Sequence, residues 1–375
     1  MNRLSFKRKH FFDYTCVIAI YIYSLQVIFV GVQYQILASM LIFPYFIFQL
    51  KHCKIENQGF ILLYGYLLIT TIFSIFNIFF TNNGIGGTLI LVSTLALGLY
   101  CIDNIEKIRL HIYIIVWINI FYIWFEIIYL GKMPNEVYEQ LGLSRNHGGL
   151  LLCLFVGFYC FIRKITKDKV SVVLPLVAMV SAYLLVGRSS LGLLAGIFVI
   201  SLLANNKKLI SIILTIIIVG LIIYFKNDIL LLYEASSFAE NGMESSRYKI
   251  WDSYITHIDL ESAIFGLDTS NIPVIRDYGG NPHNSFLNFH RRLGLIPFIL
   301  FLIITFVSIL KYFMMGDNYV VWLIIILFSR IFFDSDCFIG SYDFIIYTII
   351  FYPILKYKSL LTIRYTEVSV FNRVV

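Results

Sequence analysis

The feature that most limits what this chain can fold into is a succession of apolar runs, each near the length of a bilayer crossing, from beginning to end. A helix needs roughly 20 apolar residues to cross the hydrocarbon core, with a range of about 17–25. Twelve runs approach that length, at about 12–30, 34–50, 60–80, 86–102, 110–130, 148–162, 170–186, 190–204, 209–225, 294–310, 320–333 and 342–355. Those at 148–162, 190–204 and 320–333 are short, and tilted, broken or re-entrant helices stay open for them. Charged residues make up 14% of the 375, against about 25% in soluble domains. The mean hydropathy of +0.83 is high over the whole length. A soluble enzyme, a secreted disulfide scaffold and a disordered chain are excluded, and so is an outer-membrane barrel, whose alternating strands keep hydropathy modest. The expected fold is all-α and polytopic, with about 12 transmembrane helices.

Lysine and arginine give an independent test, because cytoplasmic loops carry the excess of them. With the N-terminus inside, 19 of the 29 fall on the cytoplasmic side and 9 on the other, with Arg330 inside the eleventh run. Both ends are therefore expected in the cytoplasm. The basic segment Met1–His10 has no small-x-small cleavage site after the run that follows it, so that run reads as an uncleaved span. The net charge of +7 is a topology signal and does not indicate nucleic acid. The six cysteines show neither a disulfide framework nor metal-ligand spacing.

Three divisions follow: helices 1–9 over 1–225, a large outward loop over 226–293, and helices 10–12 with a cytoplasmic tail over 294–375. The loop carries nine acids against six bases. Within it Ser245-Ser246 caps a predicted helix through about His257, whose apolar face is Ile250, Trp251, Tyr254, Ile255 and Ile258. A loop of this length with its own structure is usually functional.

Chemistry concentrates in three places. The first is Asn281-Pro282-His283-Asn284-Ser285-Phe286-Leu287, followed by His290, Arg291, Arg292 and Gly294. A histidine there can take a proton from a hydroxyl, and a loop simply facing water explains the residue types equally well. The second is Gly187-Arg188-Ser189-Ser190, a short link between two runs on the charge-poor side. An arginine there pairs, snorkels, or holds an anionic ligand. In the third, Ser246-Arg247-Tyr248-Lys249-Ile250-Trp251, an arginine in the first helical turn opposes the helix dipole. It makes a phosphate site together with the first-turn N–H groups, or it is a solvated surface cation. Gly192 and Gly196 suggest close helix packing. Glu126, inside the fifth run, is a candidate partner for a cation. Asp334, Asp336 and Asp343 match no metal motif and read as a solvated loop.

In their order these elements resemble the O-antigen polymerase and ligase superfamily of bacterial envelope proteins. The resemblance lies in Gly187-Arg188-Ser189-Ser190, in Arg247 with Ile250-Trp251, and in His283-Asn284-x-x-Leu287 with Gly294. Leu143-Ser144-Arg145-Asn146-His147-Gly148-Gly149 is similar to the family's Asn-rich start of a middle span. The resemblance implies a GT-C-like, metal-independent glycosyltransferase with no cofactor, in the bacterial inner membrane and facing the periplasm. Its donor and acceptor would be undecaprenyl-pyrophosphate-linked oligosaccharides, and a chain-length regulator is the candidate protein partner. Arg188 and Arg247 would neutralise the leaving pyrophosphate. His283 would serve the acceptor hydroxyl, as base or by positioning, with Asn284 beside it. Arg291 and Arg292 would hold phosphate, and Tyr233, Tyr248, Trp251 and Tyr254 would stack on sugar. Polymerase is favoured over a ligase acting on lipid A-core, on compactness and residue usage.

Two rival readings fit less well. Transferases that keep a catalytic acid in the first outer loop are disfavoured, because Gly31-Val32-Gln33-Tyr34 has no carboxylate. A lipid-linked oligosaccharide flippase would be expected to line a mid-membrane path with polar residues, and apart from Glu126 and Arg330 the runs are poor in charge.

Overall fold

A computed structural model describes residues 3–29, 31–52, 58–80, 86–205, 246–277, 280–334, 337–338 and 340–356. All regular structure among them is helical. In chain order the helices are α1 (Arg3–Ser24), α2 (Val32–His52), α3 (Gln58–Phe80), α4 (Gly86–Asp103), α5 (Ile105–Trp124), α6 (Glu136–Glu139), α7 (Arg145–Ile165), α8 (Val173–Leu184) and α9 (Arg188–Ala204). They continue with α10 (Ser246–Thr256), α11 (Leu260–Phe265), α12 (Pro273–Arg276), α13 (Ser285–Leu293), α14 (Leu295–Met314), α15 (Asn318–Phe332) and α16 (343–356).

Every predicted apolar run on described residues contains a helix, the first stopping at Ser24 short of its expected end near 30, while the run at 209–225 lies outside them. Among the described residues, five helices are long and apolar enough to cross a membrane by length and composition: 59–79, 86–103, 105–129, 145–165 and 295–314. The run at 148–162 is longer than expected, because helix extends through the polar residues on both sides. The run at 170–186 is shorter, with only 12 helical residues in α8. At 1.5 Å per residue that is about 18 Å, well short of a 30 Å hydrocarbon core.

The core centres on α7, buried continuously from His147 to Ile162, and on α16, buried from 343 to 354. Small residues let their neighbours approach closely. A Cβ at Gly98 of α4 would lie 2.9 Å from Tyr347 Cβ, and one at Gly157 of α7 would lie 2.9 Å from Leu327 of α15. Close approach at small residues is how helices associate where lipid supplies no hydrophobic drive. Of the predicted Gly192/Gly196 pair, only Gly196 is a contact, against Ile326; nothing lies within 4 Å of a Cβ on Gly192.

The elements α10 to α12 have a small core of their own, made of Ile250, Tyr254, Leu267, Ile272 and Ile275. The helix predicted from Ser245-Ser246 is α10, but Ile255, assigned to its apolar face, is exposed. This core is tied to the bundle by Asn77 near the end of α3, which donates to Phe265 O at 2.6 Å and Arg291 O at 3.2 Å. The acidic cluster expected in a solvated loop is not one. Asp343 is fully buried and accepts from Phe338 N and Gly340 N, both at 2.7 Å, while Asp334 is ion-paired. Asp336 lies outside the described residues.

Candidate functional site at one end of the bundle

The turn before α13 carries His283 in a left-handed backbone conformation, φ 49°. That region is uncommon for a residue with a Cβ, so the flanking contacts must hold it. Asn281 Oδ1 accepts from His283 N at 2.8 Å. On the other side Asn284 caps α13, its Oδ1 accepting from Phe286 N at 2.9 Å and Leu287 N at 3.1 Å. Strain held this way at a half-buried histidine is a reason to suspect function.

The helix α10 lies against this turn. Trp251 donates its indole N–H to Pro282 O at 3.0 Å, and its ring meets Phe332 and Phe333 at the end of α15, with centroids 5.4 and 6.5 Å away. Arg247 is four residues before Trp251 and therefore on the same face, about 6 Å along the axis. It is half-buried, and no ion pair or hydrogen bond engages it among the described residues. Tyr248 is exposed, with its ring edge-on to Trp251.

Arg188 is the first residue of α9, after a turn in which Val186 takes φ 54°. It is exposed and makes no hydrogen bond or ion pair with the described residues. The helix start behind it is seated tightly on α7. Cys153 Sγ donates to Ser190 O at 3.7 Å, and Gly149 leaves room for the Ser190 hydroxyl, which would lie 2.2 Å from a Cβ there.

Arg330, in the last turn of α15, joins these parts. It is 2% exposed, and its Nη2 donates both to Asn146 O at 2.7 Å and to Asp334 Oδ2 at 3.0 Å. Asp334 O in turn accepts from the hydroxyl of Ser285, the first residue of α13, at 2.7 Å. A run of contacts thus leads from the Arg188 turn through α7, Arg330 and Asp334 to the His283 turn. Trp251 touches the His283 turn at Pro282, Arg247 lies one turn away on the same face of α10, and Arg188 starts its helix at the end of the bundle where α7 begins.

Other predicted site residues have different work. Tyr254 is fully buried and offers no ring face to a sugar; its hydroxyl is 2.8 Å from His290 Nδ1. His290 Nε2 lies 3.0 Å from Ala263 O, an acceptor only, so Nε2 carries the proton and Tyr254 donates to Nδ1. Burial lowers the His290 pKa below its usual value, which keeps that neutral tautomer. Arg291 is spent on the loop, donating to Asn288 Oδ1, Thr269 Oγ1 and Gly280 O at 3.0–3.1 Å. Burial, followed by the Arg292 charge, lowers its pKa to about 10. Both arginines lie eight or nine residues along the chain from His283, about 12 Å on a helix, at the opposite end of α13. Asn284 acts as a cap, and Tyr233 lies outside the described residues.

Sequence reasoning missed Ser285 and the Arg330–Asp334 pair, although their i, i+4 spacing was a usable signal. His147, named only within the segment that carries the resemblance, is buried with its Nε2 3.0 Å from Tyr342 Oη. Glu126 does find a cation: Lys132, six residues on, past a π-helical turn over Phe125–Tyr129. Among the described residues no group of histidine, cysteine or carboxylate side chains is arranged to hold a metal. Neither the family models nor the curated proteins nor the solved structures yield a match to this chain. What remains to argue from is chemistry: two guanidiniums without a partner among the described residues, each in the first turn of a helix, and a histidine in a left-handed turn packed on the helix of one of them.

Proposed function

We propose that this chain is an O-antigen-type polymerase of the bacterial inner membrane, with twelve spans and both ends cytoplasmic. It moves a glycan from a lipid pyrophosphate to the terminal sugar hydroxyl of a second lipid-linked repeat unit at the outer face. The observation that supports this reading is that Trp251, one helical turn from Arg247, binds Pro282 next to His283, while Ser285, Asp334 and Arg330 link the same turn to the start of α7, on which the Arg188 turn is seated. Guanidiniums keep their charge and fork onto phosphate oxygens, and a helix N-terminus adds aligned N–H groups.

In the reaction the acceptor hydroxyl oxygen forms a bond to the anomeric carbon while the bond from that carbon to the pyrophosphate oxygen breaks. Negative charge builds on the departing pyrophosphate, where Arg188 and Arg247 stabilise it. The hydroxyl proton passes to the imidazole of His283, whose backbone the Asn281 and Asn284 side chains hold in place. Trp251 fixes the turn through Pro282 and leaves Tyr248, exposed beside it, as the aromatic surface for a sugar ring.

Surface-polysaccharide display in cells lacking this gene tests the reading, with complementation by wild type, Arg188→Ala, Arg247→Ala or His283→Ala. Wild type restores a ladder of polymer, and each variant, at normal abundance, leaves single repeat units on the lipid A core. Loss of all attached polysaccharide, with polymer accumulating on its carrier, would make the chain a ligase. Normal ladders from all three variants would refute the site.

A further inference from the structure

The proposed chemistry requires His283 to be held at a fixed distance from Arg188, although one precedes α13 and the other starts α9. We infer that Arg330 and Asp334 are a positioning pair that holds the His283 turn against the α7–α9 end, with the Ser285 hydroxyl as its outer link. This rests on the glycosyltransferase reading for its effect on rate, but not for its effect on structure.

The geometry is specific. One guanidinium nitrogen spans a carbonyl 184 residues earlier in the chain and a carboxylate four residues later. The backbone of that carboxylate residue then receives Ser285 Oγ, which itself accepts from Cys337 N at 3.3 Å. Four separate pieces of chain meet on two polar side chains: the start of α7, the end of α15, the turn after it and the start of α13. Ser285 is fully buried and adjoins the cap residue Asn284, so displacing it displaces the turn that sets His283.

The arrangement is a poor way to obtain stability. A buried ion pair loses much of its attraction to desolvation, and apolar side chains of similar volume often do as well or better. Arg330 Nε, also buried, has no acceptor among the described residues, and an orphaned buried donor is unfavourable. What the pair supplies is registry between segments. In catalysis a misplacement of about 1 Å can cost about 10²-fold in rate.

Neither Arg330 nor Asp334 touches the reacting atoms, so their loss should act on turnover and leave donor binding intact. The test uses the full-length protein in detergent or nanodiscs, with Ser285→Ala and Arg330→Lys. Ser285→Ala removes the hydroxyl that bonds Asp334 O and Cys337 N, and Arg330→Lys keeps the charge on a shorter head group that does not reach both Asn146 O and Asp334. Steady-state transfer is followed with a short-chain polyprenyl-pyrophosphate oligosaccharide. For Ser285→Ala, kcat falls about 10- to 100-fold while KM for the donor stays within about twofold. Arg188→Ala, which removes a group placed on the pyrophosphate itself, lowers kcat and raises KM for the donor as well. In parallel, amide exchange at 286–287 accelerates in Ser285→Ala while α7 and α15 keep their protection. Wild-type kcat and wild-type exchange in Ser285→Ala would overturn the inference, whether or not Arg330→Lys folds. If wild-type protein transfers no sugar, the glycosyltransferase reading fails, and exchange alone still decides whether the link exists.

Discussion

The close contact between the ends of α11 and α13 gives the sharpest stability prediction. Gly294, just past α13, has φ 77° and ψ −177°. That backbone region is essentially restricted to glycine and costs another residue about 1–3 kcal/mol. Space adds to the cost. A Cβ on Gly294 would lie 1.8 Å from Ile264 O and 2.7 Å from Ile264 C, both rigid backbone. Ordinary carbon–oxygen contacts begin at about 3.3 Å, so the end of α11 must retreat by about 1.5 Å. Retreat pulls Phe265 O away from Asn77 Nδ2, now 2.6 Å from it, and a hydrogen bond is worth about 0.5–1.5 kcal/mol net. Gly294→Ala is therefore expected to destabilise the loop by about 2–4 kcal/mol. At 1.4 kcal/mol per factor of ten, native-state amide protection over 260–266 and 285–293 falls by about thirtyfold to several hundredfold. Gly142→Ala is the control: φ is 67° there, but nothing lies within 4 Å of the added carbon. It incurs only the conformational cost, about 1–2 kcal/mol, and leaves the loop's protection unchanged. If Gly294→Ala protects the loop as well as wild type does, the interlock has no energetic importance.

Three further outcomes follow from the same geometry. Asn284→Ala removes the cap of α13 and costs about 1 kcal/mol, while Asn284→Asp keeps the cap; a roughly fivefold loss of protection at 286–287 in the first and none in the second is the expected pattern. The His290 pKa is lowered by burial from 6.5, so the folded loop prefers the neutral ring. Its contribution is complete above about pH 6.5 and is lost as pH falls through the folded value. Intrinsic exchange rates being normalised, protection over 246–256 and 285–293 should decline on acidification in wild type and lose that slope in His290→Gln, and a flat wild-type profile from about pH 7.5 to 5 would contradict it. Trp251→Phe keeps the ring contacts with Phe332 and Phe333 but loses the donor to Pro282 O. About 1 kcal/mol of local stability should go with it, and the thermal midpoint of the bundle should not move.

Helices were legible in the sequence because apolar length is a property of one segment at a time. The ends of α7 were not, since Arg145-Asn146-His147 and Arg163-Lys164 read as loop by polarity, yet helix continues through them. Burial was the harder quantity. Asp343 reads as a solvated acid by type, and Tyr254, placed on an apolar helix face, carries no sign of its partner; only the folded chain makes one the acceptor for Phe338 N and Gly340 N and the other the donor to His290. Roles that depend on a residue far off in sequence, such as Asn77 reaching Phe265 or Ser285 reaching Asp334, leave no periodic trace. The three elements singled out for chemistry were legible as segments, and their shared end of the bundle was visible only in the fold.

The two arginines set in apolar helices, Arg188 and Arg330, have opposite fates, and the difference follows from spacing. A guanidinium held in an apolar surrounding is costly unless it is paired or can reach water. Arg330 has an acid four residues on, where a helix or its continuation brings the two side chains together, and it is buried in an ion pair. No acidic residue lies within several turns of Arg188 on α9, and it sits at the helix start with its charge exposed. A cation that is paired inside the protein is already neutralised, so it has little left for a pyrophosphate. Arg188, without a partner among the described residues, retains its attraction for an anion, next to N–H groups that have no helical partners. The same contrast separates Arg247 from Arg291, one without a partner among the described residues and the other committed to three loop oxygens. Availability of charge, more than the presence of arginine, is what selects Arg188 and Arg247 as the groups to test first.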